Sequence, residues 1–138
     1  MNTMKLFFLA GVMLLANVFR ANAQEPVPGV IITGQNNHNW PVSHQAIKMI
    51  LENSRLFSLD VAVSPSHGED MSGFSVDFSK YQLVVLDYNG DSWSSTMNAA
   101  FMDYIRGGGG VVVYHAADNA FTDWKEYNEM IALGGWGG

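Results

Sequence analysis

Gly107 to Phe121 reads GGGGVVVYHAADNAF: four glycines, a short β-branched run, and a histidine where the run ends. The run Val111 to Tyr114 is short, apolar and bounded by glycine, the pattern of a buried strand. The glycines stop whatever precedes them, and Gly107 is well placed for the left-handed cap that ends a helix. They are not a phosphate loop, because such a loop follows a strand and opens a helix, whereas these residues precede a strand. His115 therefore stands at a strand-to-helix elbow, a place that presents reactive side chains in several α/β enzymes.

Working outward, the same alternation recurs. A helix over Thr96 to Arg106 carries Met97, Ala100, Phe101, Tyr104 and Ile105 along one side. Before it, Leu83 to Asp87 (LVVLD) and Leu59 to Val63 (LDVAV) read as strands. Earlier still, Val30 to Ile32 reads as a strand between Gly29 and Gly34. Pro41 and Ser43 then give start signals for a helix with Ile47, Ile50 and Leu51 on one face. A last helix is expected to contain Trp124, Tyr127, Met130 and Ile131. Strands alternating with helices, each strand a continuous apolar run, predict a parallel sheet covered on both faces. The expected class is α/β: three layers, flavodoxin-like, with the first strand between the second and third. The closing ALGGWGG reads as a loop leading onward, so the sheet is expected to be incomplete at four strands.

Ligands of such sheets bind beyond the carboxyl ends of the strands, near the point where strand order reverses. The loops at that edge hold Gln35, Asn36, Asn37, His38 and Trp40; then Asp87, Tyr88, Asn89 and Trp93; then His115, Asp118 and Asn119. Amides that donate and accept, beside flat rings that stack, suit a neutral, hydroxyl-rich small molecule. Asn36, Asn37, Trp40, Asp87, Asn89, Trp93, Asp118 and Asn119 are the candidate substrate contacts. Each has a plainer reading. The asparagines shape turns, the tryptophans staple helices to the sheet, and Asp87 caps a turn. His44 and His67 are read as surface residues. His115, with His38, is the candidate catalytic group: a ring at a helix N-terminus stays neutral and can take a proton or donate to a carbonyl. His38, His115 and Asp87 are also possible metal ligands, but no HxH or HExxH spacing supports them. No metal site and no cofactor motif is evident.

Composition narrows the partners. The 138 residues include no cysteine, so disulfides and thiolate chemistry are excluded. Residues 1–23 have the layout of a secretory signal peptide: Lys5, the apolar run LFFLAGVMLLANVF, Arg20, and the small-residue site ANA ending at Ala23. The run is short for a membrane span, and Asn17 and Arg20 interrupt its end. An exported protein, periplasmic or extracellular and free of the membrane after cleavage, is expected. Cleavage would remove Lys5 and Arg20 from the 7 basic residues and none of the 13 acidic ones, taking the formal charge from −6 to −8. An acidic chain with no Lys/Arg cluster lacks the footprint of a nucleic-acid binder.

Four pieces in order, IITGQNNHNW, LVVLDYNGDSW, GGGGVVVYHAADNAF and DWKEYNEMIALGGWGG, resemble the ThuA-like, or trehalose-utilisation, family from Val30 onward. The Pro-containing stretch QEPVPG, residues 24–29, reads as a short linker, and the resemblance implies 30–138 as the amino-terminal part of a ThuA-like domain. It also implies a fold like that of class I glutamine amidotransferases, whose elbow carries a cysteine where this chain has His115. Trehalose, sucrose and their keto derivatives are the implied substrates. NNHNW, DYNG and YHAADNAF would line the pocket, with Asp87 standing where asparagine is expected. The expected function is sugar processing by histidine-mediated proton transfer next to a carbonyl. The alternatives are a noncatalytic carbohydrate-binding module and an inactive fragment.

Overall fold

A computed structural model of the chain describes residues 25–132. The expected signal peptide and the closing glycines of ALGGWGG lie outside the described residues. Four strands, β1 (Val27–Thr33), β2 (Phe57–Val63), β3 (Leu83–Leu86) and β4 (Gly110–Val113), form one sheet in the order β2-β1-β3-β4. Every pairing is parallel, with Ile31 opposite Val61 on one side and Val85 on the other, and Val85 opposite Val112. Among the described residues three α-helices accompany the sheet: α1 (Trp40–Asn53), α2 (Ser95–Arg106) and α3 (Lys125–Ile131). The fold is flavodoxin-like, with β1 between β2 and β3 as the sequence pattern predicts.

Side-chain alternation along the strands divides the core. Ile31, Leu59 and Val85 point to one face, where Ile47 and Leu51 of α1 cover them. Val30, Ile32, Val84 and Leu86 point to the other, against Met97 and Phe101 of α2 and Tyr127 of α3. Strands buried on both faces need the unbroken apolar runs this sequence supplies. At β4 the cover thins: Val111 and Val113 pack on the second face, while Val112 is exposed on the other.

Several local expectations change. Ile50 of α1 and Ala100 of α2 are exposed rather than on the covered helix faces. β1 begins at Val27 and takes in Pro28 and Gly29, which read as linker. Pro28 costs no ladder bond because pairing of β1 with β3 starts only at Gly29, opposite Leu83. The left-handed residue after α2 is Gly108 (φ 91°), not Gly107, which stays right-handed (φ −73°). Beyond β4, His115–Asn119 form a 3-10 turn, and the next α-helix starts only at Lys125.

Candidate functional site

The strand order reverses between β1 and β3, so the loops leaving their carboxyl ends diverge and open a crevice there. Gln35 knits the rim of that crevice. Its side chain is buried, its amide nitrogen donates to the Pro65 carbonyl oxygen (2.8 Å), and its amide oxygen accepts from the Asp91 backbone N–H (2.7 Å). Its own carbonyl accepts from the Asn89 N–H (2.9 Å). One side chain thus ties the loops after β1, β2 and β3 together. Gly90 is required beneath it, because a Cβ there would collide with the Gln35 amide. Tyr88 is buried and its hydroxyl donates to the Asp91 carbonyl (2.6 Å); burial keeps that phenol protonated by pushing its pKa up.

Asp87 lies under this rim rather than on it. It is 1% exposed, and its two oxygens accept from Asn36 Nδ2 (3.0 Å) and Ser43 Oγ (2.6 Å). Burial pushes its carboxyl above the usual range, against the opposing pull of Ser43, His44 and Asn36. Asn36 passes the constraint on, since its Oδ1 accepts from the His38 N–H (2.9 Å). The buried carboxylate therefore fixes the amide of Asn36, and that amide fixes the backbone at His38.

The predicted site residues separate into two hollows. Asn36, Asn37, Trp40 and Asn89 share an open cleft of about 460 Å³ with Gln35, Ser66 and His67. Trp40 is half-buried as the first residue of α1, so part of its ring is available for stacking. His115 and Asp118 line a second pocket of about 550 Å³ whose remaining wall is mostly apolar, including Phe101, Ile105, Val113 and Tyr127. His38 joins the two: chain neighbour of Asn36 and Asn37 in the first, it stacks on His115 of the second, with centroids 4.6 Å apart and planes 28° apart. The loops after the first and last strands bring these two rings together at an exposed position.

His115 itself has φ 47°, left-handed for a non-glycine residue. Histidine is among the few side chains enriched there. The turn it opens is anchored by the buried Tyr127, whose hydroxyl donates to the Ala117 carbonyl (2.6 Å). A five-residue 3-10 turn is too short to place the helix dipole expected from the sequence behind the His115 ring. Trp93 is not at the rim. It is 4% exposed and packs edge-on against Phe101, Phe121 and Trp124 in the core, which serves structure. Asn119 is exposed at the end of the turn, in neither hollow. Among the described residues no three His, Cys, Asp or Glu side chains gather as a metal site; both Asp87 oxygens are occupied by Asn36 and Ser43.

The sequence puts Gln35 at the rim without showing that it holds the rim together, reads His67 as a surface residue, which its 83% exposed side chain is, and gives Asp91 no role. His67 Nδ1 meets Asp91 Oδ1 at 2.9 Å, a pairing across two loops that no local spacing announces.

A family model described as trehalose utilisation, ThuA, matches residues 30–137. The chain belongs to the ThuA family. A solved ThuA-like protein from Parabacteroides merdae ATCC 43184 is similar to it, with 62% identity and a TM-score of 0.79 over 82% of this chain and 40% of that one. This ThuA chain thus spans less than half the length of that relative. No curated protein matches it.

Proposed function

We propose that this ThuA-family chain processes trehalose- or sucrose-type saccharides or their keto derivatives, with His115 and His38 moving a proton at a carbon next to a carbonyl. The observation that carries this reading is the stacked His38–His115 pair, set between an amide-and-tryptophan cleft and an apolar pocket. The cleft has the donors, acceptors and aromatic face that sugar hydroxyls and ring faces require. The paired rings supply acid–base groups, and with no cysteine in the chain a thioester route is closed. The place of His115 just beyond the carboxyl end of β4 supports kinship with the class I glutamine amidotransferase fold. The signal-like residues 1–23 support export to the periplasm or beyond.

The test is titration of the purified chain, and of His115→Ala, with trehalose, sucrose and their 3-keto derivatives, with product followed by NMR. Turnover by the parent but not by His115→Ala, with binding kept in both, is expected. Binding without product in the parent would instead make the cleft a carbohydrate-binding module.

A further inference from the structure

His67 and Asp91 form an arrangement that the stacked pair does not account for. Asp91 is held at three points besides the histidine. Its N–H donates to Gln35 Oε1 (2.7 Å), its carbonyl accepts from Tyr88 (2.6 Å), and its Oδ2 accepts from the Gly68 N–H (2.6 Å). The loop bearing His67 is fixed on both sides: Pro65 by Gln35, and Gly68 by Asp91 itself. Within that loop, Ser66 and Glu69 close a turn, with the Glu69 N–H donating to the Ser66 carbonyl (3.0 Å) and the Ser66 N–H to Glu69 Oε2 (2.8 Å). An imidazole whose side chain is 83% exposed is thereby aimed by a carboxylate that cannot wander. Nδ1 faces the carboxylate, and in the neutral ring a hydrogen bond donated from Nδ1 leaves Nε2 as the acceptor. A carboxylate in this position fixes the tautomer and stabilises the imidazolium when it forms.

The ring lines the cleft that holds Asn36, Asn37, Trp40 and Asn89. We propose that His67, oriented by Asp91, is a second proton-transfer group of this cleft, acting on the oxygens of the bound saccharide; this rests on the saccharide reading above. Shifting a carbonyl to the neighbouring carbon requires two proton movements. The carbon-bound proton leaves the hydroxyl-bearing carbon, resides on the stacked histidines and returns to the former carbonyl carbon. The hydroxyl proton passes to His67 Nε2 and from there to the former carbonyl oxygen, the original hydroxyl oxygen becoming the new carbonyl. Atoms and electrons balance, and no oxidant or reductant is consumed. Two separate acid–base positions at one rim match this division of labour.

The experiment uses the full chain, His67→Gln and Asp91→Asn, with the same saccharides. Nitrogen-15 NMR of the histidine rings should show His67 as the Nδ1–H tautomer, perturbed by a saccharide that also quenches tryptophan fluorescence. Asp91→Asn should lose that tautomer and turn over at least tenfold more slowly. His67→Gln should lose about 100-fold, the low end for general acid–base catalysis, with the saccharide Kd unchanged within threefold. A His67 signal unmoved by a saccharide that binds, or parental turnover in His67→Gln, would overturn the dyad. If His115→Ala abolishes turnover while His67→Gln does not, the dyad falls and the saccharide reading stands. If the parent neither binds nor converts any of the sugars, both fall.

Discussion

The two halves of the rim are held by different forces. Around the cleft, the loops after β1, β2 and β3 meet on one buried amide, Gln35, through directional hydrogen bonds. Around His115, the turn after β4 rests on an aromatic floor in which Phe121 packs against Tyr88, Trp93, Trp124 and Tyr127. Hydrogen bonds fix loop positions to fractions of an ångström and fail when one partner changes. Aromatic packing is stronger in sum and more forgiving of shape. The binding side is thus built for geometry, and the elbow side for bulk stability.

Trp93→Ala should break the aromatic side most severely. Emptying that position costs about 3–5 kcal/mol, read as a lower urea midpoint, and Trp93→Phe should recover part of it. If Trp93→Ala unfolds no more easily than the parent, the floor is not what holds the elbow. Gln35→Leu keeps the volume but strands the Pro65 carbonyl and the Asp91 N–H, for about 2 kcal/mol, the low end of roughly 1–3 per unsatisfied group because both are only part-buried. Unlike the tryptophan series, the similar size of the replacement should not rescue it; equal tolerance on both sides would erase the contrast drawn here. Tyr127→Phe removes a single buried bond to Ala117, for about 1 kcal/mol. Faster amide exchange should then be confined to the turn after β4.

Asp87 sharpens the comparison through pH. Its folded-state pKa is raised, so between its unfolded value, about 3.9, and that higher folded value the native chain binds more protons than the unfolded one. Its contribution is fully present below the unfolded pKa and lost as pH rises through the folded one. Asp87→Asn should therefore flatten that fall in stability in denaturant melts taken across the acidic range. An unchanged slope would mean that burial of Asp87 is not what moves it. In the same variant, loosening of Asn36 should broaden the His38 amide resonance.

Most of the architecture was legible because it rests on local signals. Short apolar runs rich in β-branched residues mark β1, β3 and β4, with glycines on both sides of β1 and ahead of β4, and the apolar spacing of Met97, Phe101 and Tyr104 marks α2. The His38–His115 meeting was foreseeable from topology, since parallel strands deliver their following loops to one edge. Burial and long-range pairing were not legible. Trp93 and Trp40 look alike in sequence, yet one fills the core and the other opens a helix beside the cleft. Asp87 looked like a ligand contact and proved to be a buried anchor, and nothing local to His67 announces Asp91 on another loop. The 3-10 turn at His115 cannot be told from a helix start in sequence, because the two share the same polar, small-residue signature.

The left-handed backbone at His115 restricts what protein engineering can install there. Glycine, asparagine and aspartate tolerate that conformation, whereas β-branched replacements are genuine outliers in it. A cysteine introduced there as a thiol nucleophile would start from a backbone penalty of roughly 1–2 kcal/mol before any chemistry was gained. Of the substitutions open to directed evolution at this position, asparagine and aspartate keep a hydrogen-bonding side chain on an unstrained turn while removing the imidazole, and of the two only asparagine adds no charge.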